Sequence, residues 1–186
     1  MSVEIARHSF TVDEFERMGA AGIFHPDDRL ELIDGEIVEM SPIGSSHAAC
    51  VDALALLFNE TARRRFLVRI QSPIRLDDFS EPQPDVALLR WRDDFYRHAH
   101  PTPADVLLVV EVADTTVESD RQVKIPLYAR AGIPEVWLVN IPGERIEVYS
   151  APEGETYRQV RRFGRGRRAR SQTLEGFGVG VGEVLG

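Results

Sequence analysis

Of the 22 lysine and arginine residues in this chain, 21 are arginine, and the exception is Lys124. A guanidinium stays protonated in a rigid fork, whereas an ε-ammonium is a compact point charge on a flexible stem. Two carboxylates stand where such a charge could be used. Asp85 opens an apolar run directly after Pro84, and Glu111 interrupts Val106-Leu107-Leu108-Val109-Val110-Glu111-Val112. A carboxylate inside a buried run is costly unless something positive meets it. If the two runs are neighbouring strands, Asp85 and Glu111 converge at one edge. Two hard oxygen ligands there, with a backbone carbonyl and waters, suit Mg²⁺ or Mn²⁺. Lys124 leaning over the same edge would complete a set for phosphodiester hydrolysis. The metal would polarise the phosphate and lower the pKa of a bound water, while the lysine orients that water or steadies developing charge. The same residues also fit a structural Glu–Lys ion pair beside a solvated aspartate.

The elements that must position these residues are legible in the patterning. Thr11-Val12-Asp13-Glu14 reads as a capping box, with Phe10 and Phe15 placed as a hydrophobic staple, opening a short helix that ends near Gly19 to Gly22. Leu30 to Met40 reads as two strands joined at Asp34-Gly35, a strong hairpin signal. Ser45 or Ser46 should cap a helix from about His47 to Arg64, with Val51, Leu54, Ala55, Leu57 and Phe58 as its apolar stripe. Strands are expected at 66–76, 85–89, 106–112 and 136–139, the last two buried on both faces. Residues 118–131 carry a helical pattern, and Pro126 within it should remove a backbone bond to Gln122. Antiparallel strands around 144–150, 156–163 and 170–174 precede a Gly-rich tail. The order is α/β with a central mixed sheet.

At 186 residues the chain suits one domain, 1–186. Within it, 1–45 is an N-terminal helix and hairpin, 46–140 the core, and 141–186 the C-terminal strands. No apolar run approaches the roughly 20 residues that span a bilayer, and the start lacks a signal peptide's pattern, so a cytoplasmic location and no membrane partner are expected. Cys50 stands alone, which excludes an internal disulfide and a multi-cysteine zinc site. The net charge of −8 is uneven: residues 158–170 hold seven arginines and no acid. Such a segment suits an anionic partner, and Arg161, Arg162, Arg165, Arg167, Arg168 and Arg170 are candidate nucleic-acid contacts. Pairing with the acidic body would look the same in sequence. His98 and His100, in a Pro-rich loop, read as solvated rather than as a metal site.

Pro84-Asp85 followed by Glu111 at the end of an apolar strand resembles the PD-(D/E)xK nuclease pattern. Further segments resemble one branch of that superfamily, the Uma-type restriction-endonuclease-like family. They are Leu30 to Pro42, His47, Gln83-Pro84-Asp85-Val86, Val109-Val110-Glu111-Val112, Asp120, Lys124, Tyr128, and Ala131 to Val139. The resemblance spans roughly residues 28–140. It implies an αβββαβ restriction-endonuclease-like core, a central mixed sheet flanked by helices. An N-terminal helix and hairpin and a C-terminal antiparallel meander would be added to it. The general pattern places lysine two residues after the glutamate, where this chain has Ala113. In the resembled branch the lysine comes from the following helix, which matches Lys124. Asp120, Lys124 and Tyr128 stand four residues apart and would share one helix face.

Carried over, the resemblance implies catalytic residues Asp85, Glu111 and Lys124. It also implies a Mg²⁺ (or Mn²⁺) site from Asp85, Glu111 and the Val112 carbonyl. Glu36, His47, Gln71 and Asp120 are weaker candidates for the site's edge. The expectation is a metal-dependent endonuclease acting on phosphodiester bonds, most simply in DNA, as a homodimer paired through the 144–174 meander. The alternative is a catalytically silent nuclease-fold module for nucleic-acid binding or oligomerisation.

Overall fold

The computed structural model of the chain describes residues 7–25 and 27–186. The capping box forms as expected: Thr11 and Glu14 exchange backbone and side-chain hydrogen bonds at the start of α1, Val12–Ala20. The staple is replaced. The Phe15 ring packs on Phe24, 5.4 Å between centroids, and Phe10 packs on His8. Next, β1 (Leu30–Ile33) and β2 (Glu36–Glu39) pair in an antiparallel hairpin through Asp34-Gly35. Both turn residues take positive φ, 50° and 79°, the type I′ geometry that matches the twist of the strands. Gly35 cannot be replaced freely, because a Cβ there would meet the Ser9 Cβ at 2.6 Å. Gly35→Ala is therefore expected to cost at least about 1–3 kcal/mol, read as a lower urea midpoint.

The long helix α2 runs Ser45–Ala62, with Gly44 rather than a serine at its cap and no side-chain capping bond. Then β3 (Leu67–Ile70), β4 (Val86–Leu89) and β5 (Val106–Ala113) form successive antiparallel neighbours. The first of these is shorter than its apolar pattern suggests. Gln71 turns to a φ of 42°, which ends the extended run before Pro73.

The helical pattern after β5 divides into three. One turn of α3 (Val117–Ser119) leads into a π turn at Asp120–Lys124 and then α4 (Ile125–Arg130). Pro126 causes this. It has no N–H to offer the Gln122 carbonyl. The preceding turn widens, so that the Ile125 N–H reaches back five residues to the Asp120 carbonyl. The chain returns through β6 (Glu135–Asn140), parallel to β5, the only parallel pair in the main sheet. Next come β7 (Arg145–Glu153) and β8 (Thr156–Gly164), giving six strands in the order β3-β4-β5-β6-β7-β8. A small ladder of β9 (Arg168–Arg170) and β10 (Gly178–Gly180) and a terminal helix, α5 (Val181–Leu185), close the chain. The strand expected at 170–174 thus ends early, and the Gly-rich tail supplies a strand and a helix. The segment from α2 to β6 has the αβββαβ order.

Each face of the sheet carries its own core. Leu108, Val110 and Val112 of β5 pack with α2, α5 and the aromatic set Phe58, Phe66, Trp137 and Phe177. Val109 and Ala113 face the other way, onto Ile125, Leu127 and Tyr128. Side chains alternate along a strand, so Glu111 points toward the π turn and α4. Among the described residues, no helix is long and apolar enough to cross a membrane.

Candidate active site

The register of three strands builds the site. Ile70 pairs with Val86, and Val86 with Val110. Carried one step further, that register sets Gln71, Asp85 and Glu111 side by side at the same sheet edge. The bonds agree: the Gln71 N–H donates to the Asp85 carbonyl at 3.0 Å, and Gln71 Nε2 donates to Asp85 Oδ1 at 3.2 Å. The Val112 N–H donates to Asp85 Oδ2 at 2.8 Å, and His47 Nε2, from the first turn of α2, lies 3.1 Å from Oδ1. Asp85 is 6% exposed and Glu111 3%.

Lys124 reaches both sides of the site. Its Nζ lies 3.4 Å from Glu111 Oε1 and 3.2 Å from Glu31 Oε2. Tyr128, one turn on, donates its hydroxyl to Glu111 Oε1 at 2.6 Å. Asp120 accepts from the Thr116 hydroxyl at 2.8 Å and, with Lys124, borders the same cavity. The π turn therefore does not withdraw Lys124; the residues at 120, 124 and 128 still face one centre. Glu31, from β1, is fixed by the Gln83 N–H at 3.1 Å, while the Gln83 side-chain amide holds the Leu30 carbonyl. These groups line a cavity of about 240 Å³, with Arg29 and the β2–α2 connection on its far wall.

Charge is unbalanced here. Four carboxylates, Glu31, Asp85, Glu111 and Asp120, face one ammonium and one imidazole. Burial raises Glu111 to about 8 despite the neighbouring Lys124. It raises Asp120 as well. Burial would also raise Asp85, but the bonds from His47, the Val112 N–H and Gln71 outweigh it and hold that carboxyl below its ordinary range. Burial works against a charged Lys124, yet Glu111, Glu31, Asp120 and Asp85 together lift it above an ordinary lysine. His47 is raised by its bond to Asp85. Crowded carboxyls whose ionisation burial opposes are hard oxygen donors that a divalent cation would favour in their charged form. Asp85, Glu111 and the Val112 carbonyl offer the hard oxygens that Mg²⁺ or Mn²⁺ takes, while Glu31 is engaged by Lys124.

The structure brings together Asp85, Glu111, Lys124 and the Val112 backbone, with His47, Gln71 and Asp120 around them. It does not bring Glu36, which the register sets opposite Ile33, on the face that carries Glu31 but at the turn end of the hairpin; it is exposed and sits 3.5 Å from Arg7. Nor does it bring the arginine segment, which falls on β8 and β9; β8 stands three strands from β5, roughly 14 Å across the ladder. Arg162 lies near Glu147, Arg165 pairs with Glu144, and Arg168 with Glu183. Arg161, Arg167 and Arg170 are exposed and form no ion pair among the described residues. Sequence reasoning missed Glu31 as a site residue. Its signal was a charged residue between Leu30 and Leu32, which reads as the solvent face of a hairpin until the hairpin is docked.

Comparisons with known proteins bear on this geometry. The family model Uma2, described as "Putative restriction endonuclease", matches residues 12–182. No curated protein matches the chain. Among solved structures, the chain is similar to a protein of Anabaena variabilis ATCC 29413 described as "a putative nuclease belonging to DUF820". The TM-score is 0.72, covering 95% of this chain and 97% of that one at 13% identity, a likeness of fold.

Proposed function

The chain belongs to the Uma2 family, and from that premise we propose that it is a metal-dependent endonuclease hydrolysing phosphodiester bonds in DNA. The observation that carries this reading is the seat of Lys124. An ammonium from the helix after β5 lies between two buried glutamates, beside Asp85, on a cavity open to substrate. Asp85, Glu111 and the Val112 carbonyl would hold Mg²⁺ or Mn²⁺. Bound there, the ion would polarise the scissile phosphate and lower the pKa of a coordinated water.

The protein's own groups then have distinct tasks. The carboxylates around Lys124 favour its ammonium form, which suits a donor and charge stabiliser. It would steady the extra negative charge that develops on the phosphoryl oxygens. His47, Gln71 and the Val112 N–H fix the Asp85 carboxylate, leaving its remaining lone pairs directed by the sheet edge. Tyr128 fixes one oxygen of Glu111. Glu31 holds the ammonium from the side opposite Glu111. Arg161, Arg167 and Arg170, which form no ion pair among the described residues, would meet flanking phosphates.

The test is cleavage of supercoiled plasmid with Mg²⁺ or Mn²⁺, with EDTA as control. The wild type should nick the plasmid only with metal. Asp85→Asn, nearly isosteric but short of a charge, should lower the rate by about 10²-fold or more. Cleavage in EDTA, or a rate indifferent to Asp85→Asn, would refute the assignment.

A further inference from the structure

A second cluster of ligating side chains lies on the outer side of the β1 hairpin, away from the lysine site. One oxygen of Glu16, one of Glu81 and one ring nitrogen of His100 lie within 4.8 Å of one another. They come from three different elements: α1, the connection from β3 to β4, and the connection from β4 to β5. Glu81 is 4% exposed, and its Oε2 is buried with no hydrogen-bond partner. His100 Nε2 lies 3.7 Å from its Oε1. A buried carboxylate oxygen with no donor is costly. Nearby Arg75 favours its charge from a distance but gives it no hydrogen bond, because that guanidinium is bonded to Asp13 at 2.8 Å and Asp78 at 3.3 Å.

We propose that Glu16, Glu81 and His100 form a site for a borderline divalent cation such as Zn²⁺, separate from the site at Asp85 and Glu111. Imidazole in the donor set favours Zn²⁺ and its transition-metal neighbours over Mg²⁺, which takes oxygen. Three protein ligands and a water complete a zinc coordination sphere. Ligands about 2.0–2.2 Å from zinc stand closer together than 4.8 Å. The exposed side chains of Glu16 and His100 can close onto the fixed Glu81.

The three segments are already held in register. The Val12 N–H donates to the Asp78 carbonyl, the Arg75 N–H to the Pro101 carbonyl, and the Glu81 N–H to the Leu32 carbonyl. An ion here would tie α1 to the loop that delivers Asp85 and to the hairpin that delivers Glu31. The ion would fix the backbone on which two residues of the lysine site depend.

The experiment uses the Asp85→Asn/Glu111→Gln protein, which lacks both strand-borne carboxylates of the first site. Titration with Zn²⁺ by calorimetry, in excess Mg²⁺, should show one ion per chain, and Zn²⁺ should raise the melting temperature. In the same background, His100→Ala and Glu16→Gln, both at exposed positions, should each weaken Zn²⁺ binding by at least about tenfold. No Zn²⁺ uptake would overturn the proposal. So would uptake that neither substitution weakens.

Discussion

Lys124→Met is expected to lower the single-turnover cleavage rate by about 10²–10³-fold while leaving DNA binding within a few-fold of wild type. The magnitude is that of removing one preorganised donor aimed at developing charge. Lys124 has no freedom to be replaced from elsewhere: Ala113 occupies the other position at which this superfamily pattern carries lysine, and every other cation in the chain's 22 is arginine. Lys124→Arg should recover little. The guanidinium is larger and planar, and the space between Glu31 and Glu111 is cut for a point charge. Thermal melting accompanies the kinetics, because removing the ammonium leaves two buried glutamates facing each other. Glu111, whose carboxyl burial already raises, would hold its proton more tightly without the ammonium, limiting the loss of stability. A folded Lys124→Met protein that still cleaves at the wild-type rate would remove Lys124 from the mechanism.

The carboxylates were legible because they break a rule. Asp85 opens and Glu111 interrupts a run in which every other residue but Leu107 is buried, and a charge in such a place announces a partner. Pairing β4 with β5 was needed to join them, and the observed register does so. Lys124 was legible from composition and spacing, but the π turn was not. Pro126 signals a lost hydrogen bond, and a kink, a late start and a widened turn all satisfy that signal equally. Only the packing of Ile125 and Leu127 under the sheet selects among them. Glu36 and Glu31 show the limit of period-two reasoning. Both lie on one face of the hairpin, since Glu36 pairs opposite Ile33, two residues from Glu31, and which of them reaches the site depends on how the hairpin docks. The bridge from Leu32 to Glu81 and the turn resting on Ser9 decide that.

The arginine segment shows a different limit. A run of like charge reveals what it could attract, not what already lies beneath it. Glu147 is fully buried in β7, with Arg121 at 2.6 Å, Arg145 at 2.8 Å and Arg162 at 3.6 Å. Burial works to raise its carboxyl, yet the arginines and the Tyr149 hydroxyl bring it down to about 2. Part of the segment's charge is thus spent on the acidic body. Fewer arginines are left for an external anion than composition suggests.

Glu111→Gln is expected to abolish metal-dependent cleavage and to raise the melting temperature, and the two effects have one cause. In the folded protein the Glu111 carboxyl is raised to about 8 from an ordinary 4.5, chiefly by burial. The folded state therefore binds a proton more tightly than the unfolded chain. Stability falls wherever the native state holds more protons than the unfolded state, so the contribution of Glu111 is intact below pH 4.5. It is lost as pH rises through 8. Gln carries no such term, and its side-chain oxygen can still accept from Tyr128. The melting temperatures of wild type and Glu111→Gln should nearly coincide near pH 4.5, separate as pH rises, and differ most above pH 8. At this size each kcal/mol moves the melting temperature by roughly 2–4 °C. Saturating Mn²⁺ should narrow the gap by stabilising only the wild type, since ligand binding to the native state raises its stability. A gap that is constant with pH would mean that Glu111 is ionised at neutral pH without metal. The excess negative charge would then already be neutralised by the protein itself.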